Sequence, residues 1–388
     1  MAIHNRFAEM HAEIAEWRQD IHANPELRFE EHRTSAFVAS KLRAFGVDEV
    51  VEGVGGTGVV GLIHGRSRSS GRTIGFRADM DALPITEATG LPHASTNTGV
   101  MHACGHDGHT SMLLGAARYM AETRNFNGTV AVIFQPAEEG GGGARAMLDD
   151  GLMDRFVIDE VYGMHNWPGL PPGEFALREG PLMAATDFFE LTVTGRGGHG
   201  AMPHQTVDAT LAGSAVVVAL QQVVARNVDP LKPAVLSVCS IHTDSTAHNV
   251  ISGSALIKGT VRYLHPEVQG LIRARILEVA EATAAAHRGS ATLDYMPCVP
   301  VTINPPDMTA HAIAAAKAVA GRVHTDIEPV MGGEDFSEMM IARPGAFIFV
   351  GNGDSAKLHN PAYEFNDATI PAGCSWFATL AEQRLPLG

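Results

Sequence analysis

The residues best suited to chemistry lie between His102 and His109, where three histidines, one cysteine and one aspartate fall within eight positions. In an extended or loop backbone, side chains two residues apart point the same way. Cys104 and His106 can therefore converge on one divalent metal ion, as cysteine and histidine ligands do. Gly105 between them leaves the backbone free to bend. The segment indicates a metal or catalytic site.

Two other interpretations of this segment remain open at this point. Cys104 can be a disulfide partner or a buried core cysteine with surface histidines around it. It can also be a nucleophile that His106 activates as a base. If Cys104 is a nucleophile, activity should survive a strong chelator and be abolished by a thiol-alkylating reagent. If the site binds metal, the chelator should abolish activity.

Further polar side chains follow three apolar, strand-like stretches, and the end of an apolar strand is where an open α/β sheet places its chemistry. The stretches and the residues that follow them are Thr73–Arg77 with Asp79 and Asp81, Thr129–Phe134 with Glu138 and Glu139, and Val161–Met164 with His165. Each alone has an ordinary explanation, such as a strand-end cap or a helix N-terminal acid. Their succession makes coincidence the weaker account. Of two adjacent carboxylates, one can bind a metal ion while the other handles protons.

Length and composition limit the class of protein. A chain of 388 residues exceeds what one core usually holds, so two domains are expected. A net charge of -15 argues against a nucleic-acid or anionic-membrane partner, since either needs a basic face. Four scattered cysteines favour a reducing compartment. With no signal segment and no long apolar run, the sequence predicts a cytoplasmic protein.

The elements that must position these residues follow from hydrophobic periodicity. The predicted helices around the first site residues are Asn5–Asn24, Glu30–Phe45 and Asp107–Ala121. From residue 185 the pattern changes to strand, helix, two strands, helix and strand, which is the βαββαβ order of a ferredoxin-like module. After residue 296 the α/β pattern resumes and ends with a helix over Ile370–Leu385. We therefore predict a catalytic domain over 1–184 and 297–388 and an inserted domain over 185–296.

Eight segments together resemble the M20 metallopeptidase family, and specifically its amidohydrolase branch, which includes hippurate hydrolases and auxin-amino-acid conjugate hydrolases. They are His22 with Pro25–Leu27, Arg77–Pro84, His102–His109, Gln135–Glu139, Met164–His165, Gly197–His204, Gly332–Phe336 and His359–Pro361. Their order over nearly the whole length makes the resemblance specific. It implies an α/β fold, with an open mixed sheet in a zinc-peptidase-like catalytic domain and an inserted ferredoxin-like lid and dimerisation domain.

The resemblance also implies a two-metal centre. Its ligands would be Cys104, His106, Glu139, His165 and His359. The Cys104 thiolate takes the bridging place where other branches use aspartate. Five protein ligands leave coordination positions open, as a catalytic site requires. Zinc, manganese, cobalt and nickel all suit such a ligand set.

Other roles follow from the same resemblance. Glu138 matches the general base, and Asp79 belongs with the catalytic residues. Arg77 replaces a histidine of the peptidases, so Asp79 is left to orient either Arg77 or a ligand. His199 matches a histidine that stabilises the oxyanion in the neighbouring subunit, which implies a homodimer. The residues that match binders of the substrate carboxylate are Asn249, Arg262 and Gly333.

The predicted function is therefore metal-dependent hydrolysis of an N-acyl-L-amino acid or a related conjugate into a carboxylate and a free amino acid. A dipeptidase or carboxypeptidase of the same family is the alternative within enzymes. A non-catalytic metal-dependent binding protein is the alternative of another class. Glu138 argues against the binding protein, because a pure binder does not need an unligated carboxylate beside its metal ions.

Overall fold

The structure is a computed structural model that describes the backbone of residues 2–388 and the side chains from Asn5 onward. The apolar residues of the first helix show why it forms: Phe7, Ile14 and Ile21 recur at seven-residue steps and are fully buried. The helices, in chain order, are α1 (Ala2–Ala23), α2 (His32–Ala44), α3 (His106–Thr123), α4 (Gly143–Asp149), α5 (Leu152–Arg155), α6 (Ala209–Leu220), α7 (Gln222–Asn227), α8 (Val268–Ala286), α9 (Pro306–Val319), α10 (Phe336–Ala342) and α11 (Ile370–Arg384).

The strands form one large sheet and several smaller ones. In chain order they are β1 (Glu49–Val54), β2 (Gly58–His64), β3 (Thr73–Asp79), β4 (Thr129–Gln135), β5 (Glu160–Pro168), β6 (Phe175–Ala176), β7 (Gly180–Met183), β8 (Ala185–Thr194), β9 (Gly198–His199), β10 (Ala234–Thr243), β11 (Val250–Ile251), β12 (Ser254–Tyr263), β13 (Ser290–Val299), β14 (Thr302–Asn304), β15 (Val323–His324) and β16 (Gly345–Gly353). The chain divides into two compact units.

The first unit comprises the residues up to Leu182 together with Thr302–Glu328 and Asp335–Gly388. Eight of its described strands form a mixed sheet in the order β1-β2-β4-β3-β5-β16-β6-β15. The central strands β4, β3, β5 and β16 run parallel to one another. Strands β3 and β4 are buried along their whole length, which explains their continuous apolar sequences. Helix α3 packs on β3 and against α1 and α11.

The parallel strands bring the predicted site residues to one edge of this sheet. Asp79, at the end of β3, pairs with Gln135, at the end of β4. Strand β5 is longer than the prediction, since it continues through Pro168, so His165 lies inside the strand and not after it. The reason is a tertiary one: His165 and the residues after it pair with β16 from Phe349 onward.

The second unit comprises Met183–Val301 and Pro329–Glu334. Its main sheet is antiparallel, in the order β10-β12-β8-β13, and α6 and α8 pack on it. The order of its strands and helices is that of a ferredoxin-like module. Together with the mixed, centrally parallel sheet of the first unit, this confirms the predicted α/β fold class. The βαββαβ pattern predicts a single helix after the first strand, and this is wrong, because the chain forms α6 and α7 as separate helices joined at Gln221.

Strand β1 and helix α10 are among the elements that were not predicted. Strand β1 is mostly exposed, so it has no run of apolar residues that would indicate a strand. It is stabilised by antiparallel pairing with β2. Helix α10 begins at Phe336, the last residue of the Gly332–Phe336 segment that carries part of the family resemblance. None of the helices in the described part of the chain is long and apolar enough to cross a membrane.

Candidate metal centre

The backbone at Gly105 determines how the Cys/His segment is presented. Gly105 has φ 89° and directly precedes α3, so His106 is the first residue of that helix. A Cβ atom at position 105 would lie 2.3 Å from Asn166 Nδ2 and 2.5 Å from Tyr363 Oη. Both the left-handed conformation and the close approach therefore require glycine. The turn places Cys104 before the helix and His106 at its start.

Cys104 is shared by two groups of ligand atoms. Its Sγ lies 3.3 Å from His165 Nε2. It belongs to one group with His106 and His165 and to another with Glu139 and His359, and the atoms within each group lie within 4.8 Å of one another. Two atoms bound to one ion at about 2.0–2.3 Å lie roughly 3–4 Å apart. The arrangement therefore matches two ions that share one sulfur atom.

The histidine ring nitrogens also fit a metal centre. His106 Nδ1 donates to the backbone oxygen of Asp81 at 2.8 Å, and His165 Nδ1 donates to the backbone oxygen of Asn166 at 2.6 Å. Both rings thus present Nε2 to the cluster, in the tautomer that metal ligands adopt. His106 Nε2 is buried and has no hydrogen-bond partner among residues 5–388. A cation would satisfy it.

The electrostatics of Cys104 weigh against a nucleophile. Burial raises the pKa of the Cys104 thiol well above its ordinary value, and the charges of Glu139 and Glu138 raise it further. Reactive cysteines have the opposite surroundings, because a lowered pKa supplies the thiolate. All four cysteines are free, so Cys104 is not in a disulfide. A thiolate here needs a cation beside it.

The two histidines of the first group differ in charge. Burial lowers the pKa of His165 well below its ordinary value, so its ring is neutral. Burial also opposes the charged form of His106, but the charges of Asp79 and Asp81 outweigh it and raise its pKa to about 10. A metal ion at Nε2 would replace that proton, because only a neutral imidazole can bind a metal.

Glu138 and Glu139 follow Ala137, whose backbone is left-handed at φ 52°. The Glu139 amide donates to Asp81 Oδ2 at 2.9 Å, and a carboxylate oxygen of Glu139 lies 3.1 Å from His359 Nε2. Burial opposes ionisation of Glu139, but the hydrogen bond from His359 lowers its pKa below the ordinary value. Glu138 forms a group with His106 and Glu139. It therefore lies beside the cluster, where a proton carrier would work.

Asp79 is fully buried and acts on its neighbours. It accepts hydrogen bonds from Arg77 Nη1 at 2.6 Å and from His109 Nδ1 at 2.6 Å. Burial opposes its charge, but His106 and Arg77 keep its pKa well below the ordinary value. His109 Nε2 accepts from the amide of Asn166, so both of its ring nitrogens are occupied. Asp79 is thus placed to orient Arg77 and His109.

The predicted residues of the second unit form two pairs. His199 lies on β9 and is exposed, and the amide of Gly200 beside it donates to the backbone oxygen of Asn249 at 2.7 Å. Arg262 donates from Nη1 to Thr186 Oγ1, and a Cβ atom at Gly333 would lie 2.4 Å from the same oxygen. His199 thus lies one residue from a contact of Asn249, while Arg262 and Gly333 both lie against Thr186.

Two supporting residues were missed by the sequence analysis. Asn166 Nδ2 donates to the backbone oxygen of Cys104 at 2.6 Å, and Tyr363 Oη donates to Asn166 Oδ1 at 2.7 Å. Both lie close in sequence to a predicted ligand, Asn166 after His165 and Tyr363 after His359. That proximity is the only signal that could have pointed to them.

Comparisons with known proteins agree with this geometry. The family described as Peptidase family M20/M25/M40 matches residues 75–383. The chain is 42% identical to a hippurate hydrolase of Campylobacter jejuni, over 96% of this chain and 97% of the relative. It is 37% identical to an N-acetylcysteine deacetylase of Bacillus subtilis, over 96% of each chain. A crystal structure from Bacillus subtilis, described as a dinuclear metal-binding peptidase from the M20 family, superposes with a TM-score of 0.84 at 34% identity, covering 97% of this chain and 99% of that one.

These findings agree on the class of protein. The family match covers well over half of the chain, and the two relatives are aligned over nearly their whole length. The similar crystal structure is described as dinuclear, which agrees with the two groups of ligand atoms that share Cys104 in this chain. The chain therefore belongs to peptidase family M20/M25/M40, and within it to the amidohydrolase branch.

Proposed function

We propose that this protein hydrolyses the amide bond of N-acyl-L-amino acids and releases a carboxylate and a free amino acid. The observation that carries the proposal is the Cys104 sulfur, which two groups of ligand atoms share. The relatives support the substrate class, since one is named for hippurate and another for N-acetylcysteine, both of which are N-acyl amino acids.

Five side chains would hold the two ions: Cys104, His106, Glu139, His165 and His359. With Cys104 between them, His106 and His165 would serve one ion, and Glu139 and His359 the other. When bound, two divalent ions acidify the attacking water and polarise the scissile carbonyl. Zinc, manganese, cobalt and nickel each suit these sulfur, nitrogen and oxygen ligands.

Glu138 is the proposed general base. Its carboxylate takes a proton from the attacking water and delivers it to the amide nitrogen as the carbon–nitrogen bond breaks. The free amino acid then leaves as an amine. The position of Glu138 beside His106 and Glu139 supports this role. Asp79 keeps Arg77 and His109 in place behind the cluster.

The second unit would bind the amino-acid part of the substrate. Arg262 suits a free carboxylate because its guanidinium can bind it through two parallel hydrogen bonds. Gly333 leaves room near Thr186 at this point, and Asn249 contributes an amide. His199 would donate to the developing oxyanion. Its exposure on β9 is in keeping with a role toward a second subunit.

We also propose a cytoplasmic homodimer. Strand β10 lies at the edge of its sheet, is ten residues long and carries neither proline nor a charged side chain. Such edges readily pair with another chain. Helix α6 packs on β12 and β10 and exposes Leu211 and Val218. Free cysteines throughout suit a reducing compartment.

A substitution of Glu138 tests the function. In Glu138→Gln, turnover of N-acetyl and N-benzoyl amino acids should fall roughly 10²- to 10⁴-fold, because the base is lost. Metal analysis should still find two ions per chain. Glu179→Gln, at an exposed position, is the matched control and should be unchanged. Undiminished turnover in Glu138→Gln would remove the proposed base.

A chelator provides the second arm of the same experiment. Activity should disappear on chelation and return with added zinc, manganese, cobalt or nickel. Loss only after thiol alkylation would favour the cysteine nucleophile instead. Dipeptides belong in the substrate panel, because faster turnover of dipeptides than of N-acyl amino acids would make the protein a peptidase.

A further inference from the structure

Glu31 is a buried carboxylate that has no role in the proposed mechanism. It lies just before α2, and its side chain is fully buried. Its Oε1 accepts a hydrogen bond from the amide of Ala137 at 2.9 Å, across 106 positions of sequence, and another from the amide of Phe29 at 3.0 Å. Its Oε2 accepts from the hydroxyl of Thr57. Burial raises its pKa above the ordinary value.

The partner of Glu31 is the residue that sets the direction of the two glutamates. Ala137 is buried and left-handed, at φ 52°, and directly precedes Glu138 and Glu139. This conformation is unfavourable for a residue with a Cβ atom, so the surrounding structure must hold it. The hydrogen bond from the Ala137 amide to Glu31 is one of the contacts that do so.

The short segment before Glu31 reaches both loops of the metal centre. The Ala82 amide, next to Asp81, donates to the backbone oxygen of Glu26 at 2.8 Å. Arg28 Nη1 donates to the backbone oxygen of Glu139 at 2.9 Å. Asp81 in turn accepts from the Glu139 amide. The chain from Glu26 to Glu31 therefore links the end of β3 to the loop that carries both glutamates.

We propose that Glu31 is a positioning residue that aims Glu138 and Glu139 by holding Ala137 in its left-handed conformation. The inference rests on the proposed roles of Glu138 as base and Glu139 as metal ligand. A purely structural role is the simpler alternative, in which Glu31 only joins Thr57 to the start of α2. The two accounts differ in which readouts change.

The test compares variants that remove one contact at a time. Glu31→Leu keeps much of the volume and removes every acceptor. Glu31→Gln keeps one oxygen for Ala137, because the Thr57 hydroxyl can accept from the new amide. Thr57→Val is the matched control, since it removes the other contact and leaves the one with Ala137. Should Glu31→Leu fail to fold, Glu31→Asp takes its place in the test, because the shorter side chain withdraws the acceptor from Ala137 by one carbon.

Two readouts are compared at a temperature at which all variants are folded. In Glu31→Leu we expect kcat to fall at least tenfold with KM within threefold. We also expect the chelator concentration that removes half of the metal to fall at least tenfold. Glu31→Gln and Thr57→Val should stay within threefold of the parent in both. A Glu31→Leu protein that loses thermal stability but changes neither readout would leave only the structural role.

A second substitution probes the mechanism directly. Glycine adopts positive φ without steric cost, so Ala137→Gly added to Glu31→Leu should recover at least threefold of the lost kcat. No recovery would show that Glu31 does not act through Ala137. If Glu138→Gln itself retained turnover, the proposed base would be wrong. The metal-retention readout would still test Glu31 through Glu139.

Discussion

His22 and Glu87 form a buried ion pair behind the Cys/His segment. His22 Nε2 lies 3.4 Å from Glu87 Oε1, and its Nδ1 lies 2.8 Å from Asp107 Oδ2. Burial opposes the charge of His22, but Asp107 outweighs it and raises its pKa to about 9. Burial also opposes the charge of Glu87, while hydrogen bonds from His22 and Thr89 lower its pKa to about 2.

The signs of these shifts define a pH window. The pKa of His22 is raised from 6.5 to about 9, so its contribution to stability is complete below pH 6.5 and is lost as pH rises through 9. The pKa of Glu87 is lowered from 4.5 to about 2, so its contribution is complete above pH 4.5 and is lost as pH falls through 2. Both contributions are complete between pH 4.5 and pH 6.5, so the pair stabilises the fold most in that window.

Glu87→Gln should therefore lower Tm more at pH 6 than at pH 10. At pH 6 the substitution removes the partner of a charged His22, whereas at pH 10 the ring is already neutral. Thermal unfolding at the two pH values measures the difference, with Glu179→Gln as an exposed control. An equal loss of Tm at both pH values would contradict the pairing with His22.

At the scale of elements, α3 depends on a glycine that its packing requires. A Cβ atom at Gly108, in the first turn, would lie 2.3 Å from the ring of Phe365. Gly270 on α8 offers the opposite case, because nothing lies within 4 Å of a Cβ atom there. Both glycines are helical, so alanine is intrinsically favoured at each by up to about 1 kcal/mol.

The two glycines should respond to alanine with opposite signs. Gly108→Ala should lower the free energy of unfolding by about 1–3 kcal/mol, because overpacking exceeds the propensity gain. Gly270→Ala should raise it by a few tenths to about 1 kcal/mol. Denaturant unfolding of both variants measures the difference. Stabilisation in Gly108→Ala would mean that Phe365 yields easily to the added methyl group.

At the scale of the whole molecule, the proposed dimer is the feature to test. Light scattering should give twice the chain mass of 41.1 kDa. Val218→Glu places a charge on the exposed apolar side of α6 and should give monomers. If His199 serves the neighbouring subunit, turnover by Val218→Glu should fall as its mass in solution falls to that of a monomer. Leu271→Glu on α8 is the control, and an unchanged mass in Val218→Glu would place the interface elsewhere.

Local sequence was enough for most of the fold. Strands β3 and β4 are buried on both faces, so their apolar runs identified them. The six-element βαββαβ pattern between β8 and β13 followed from hydrophobic periodicity. The extent of β5 and the existence of β1 were missed, because both depend on pairing with a neighbouring strand. The break between α6 and α7 was also missed.

The sequence by itself determined the fold class, the family and the residues to expect at the metal centre, because each of these depends on short patterns and on their order along the chain. Only the tertiary structure decided which atoms meet. The contact of Glu139 with His359, and that of Glu31 with Ala137, join residues more than a hundred positions apart. Such contacts depend on how strands and loops pack, and no local pattern encodes that packing.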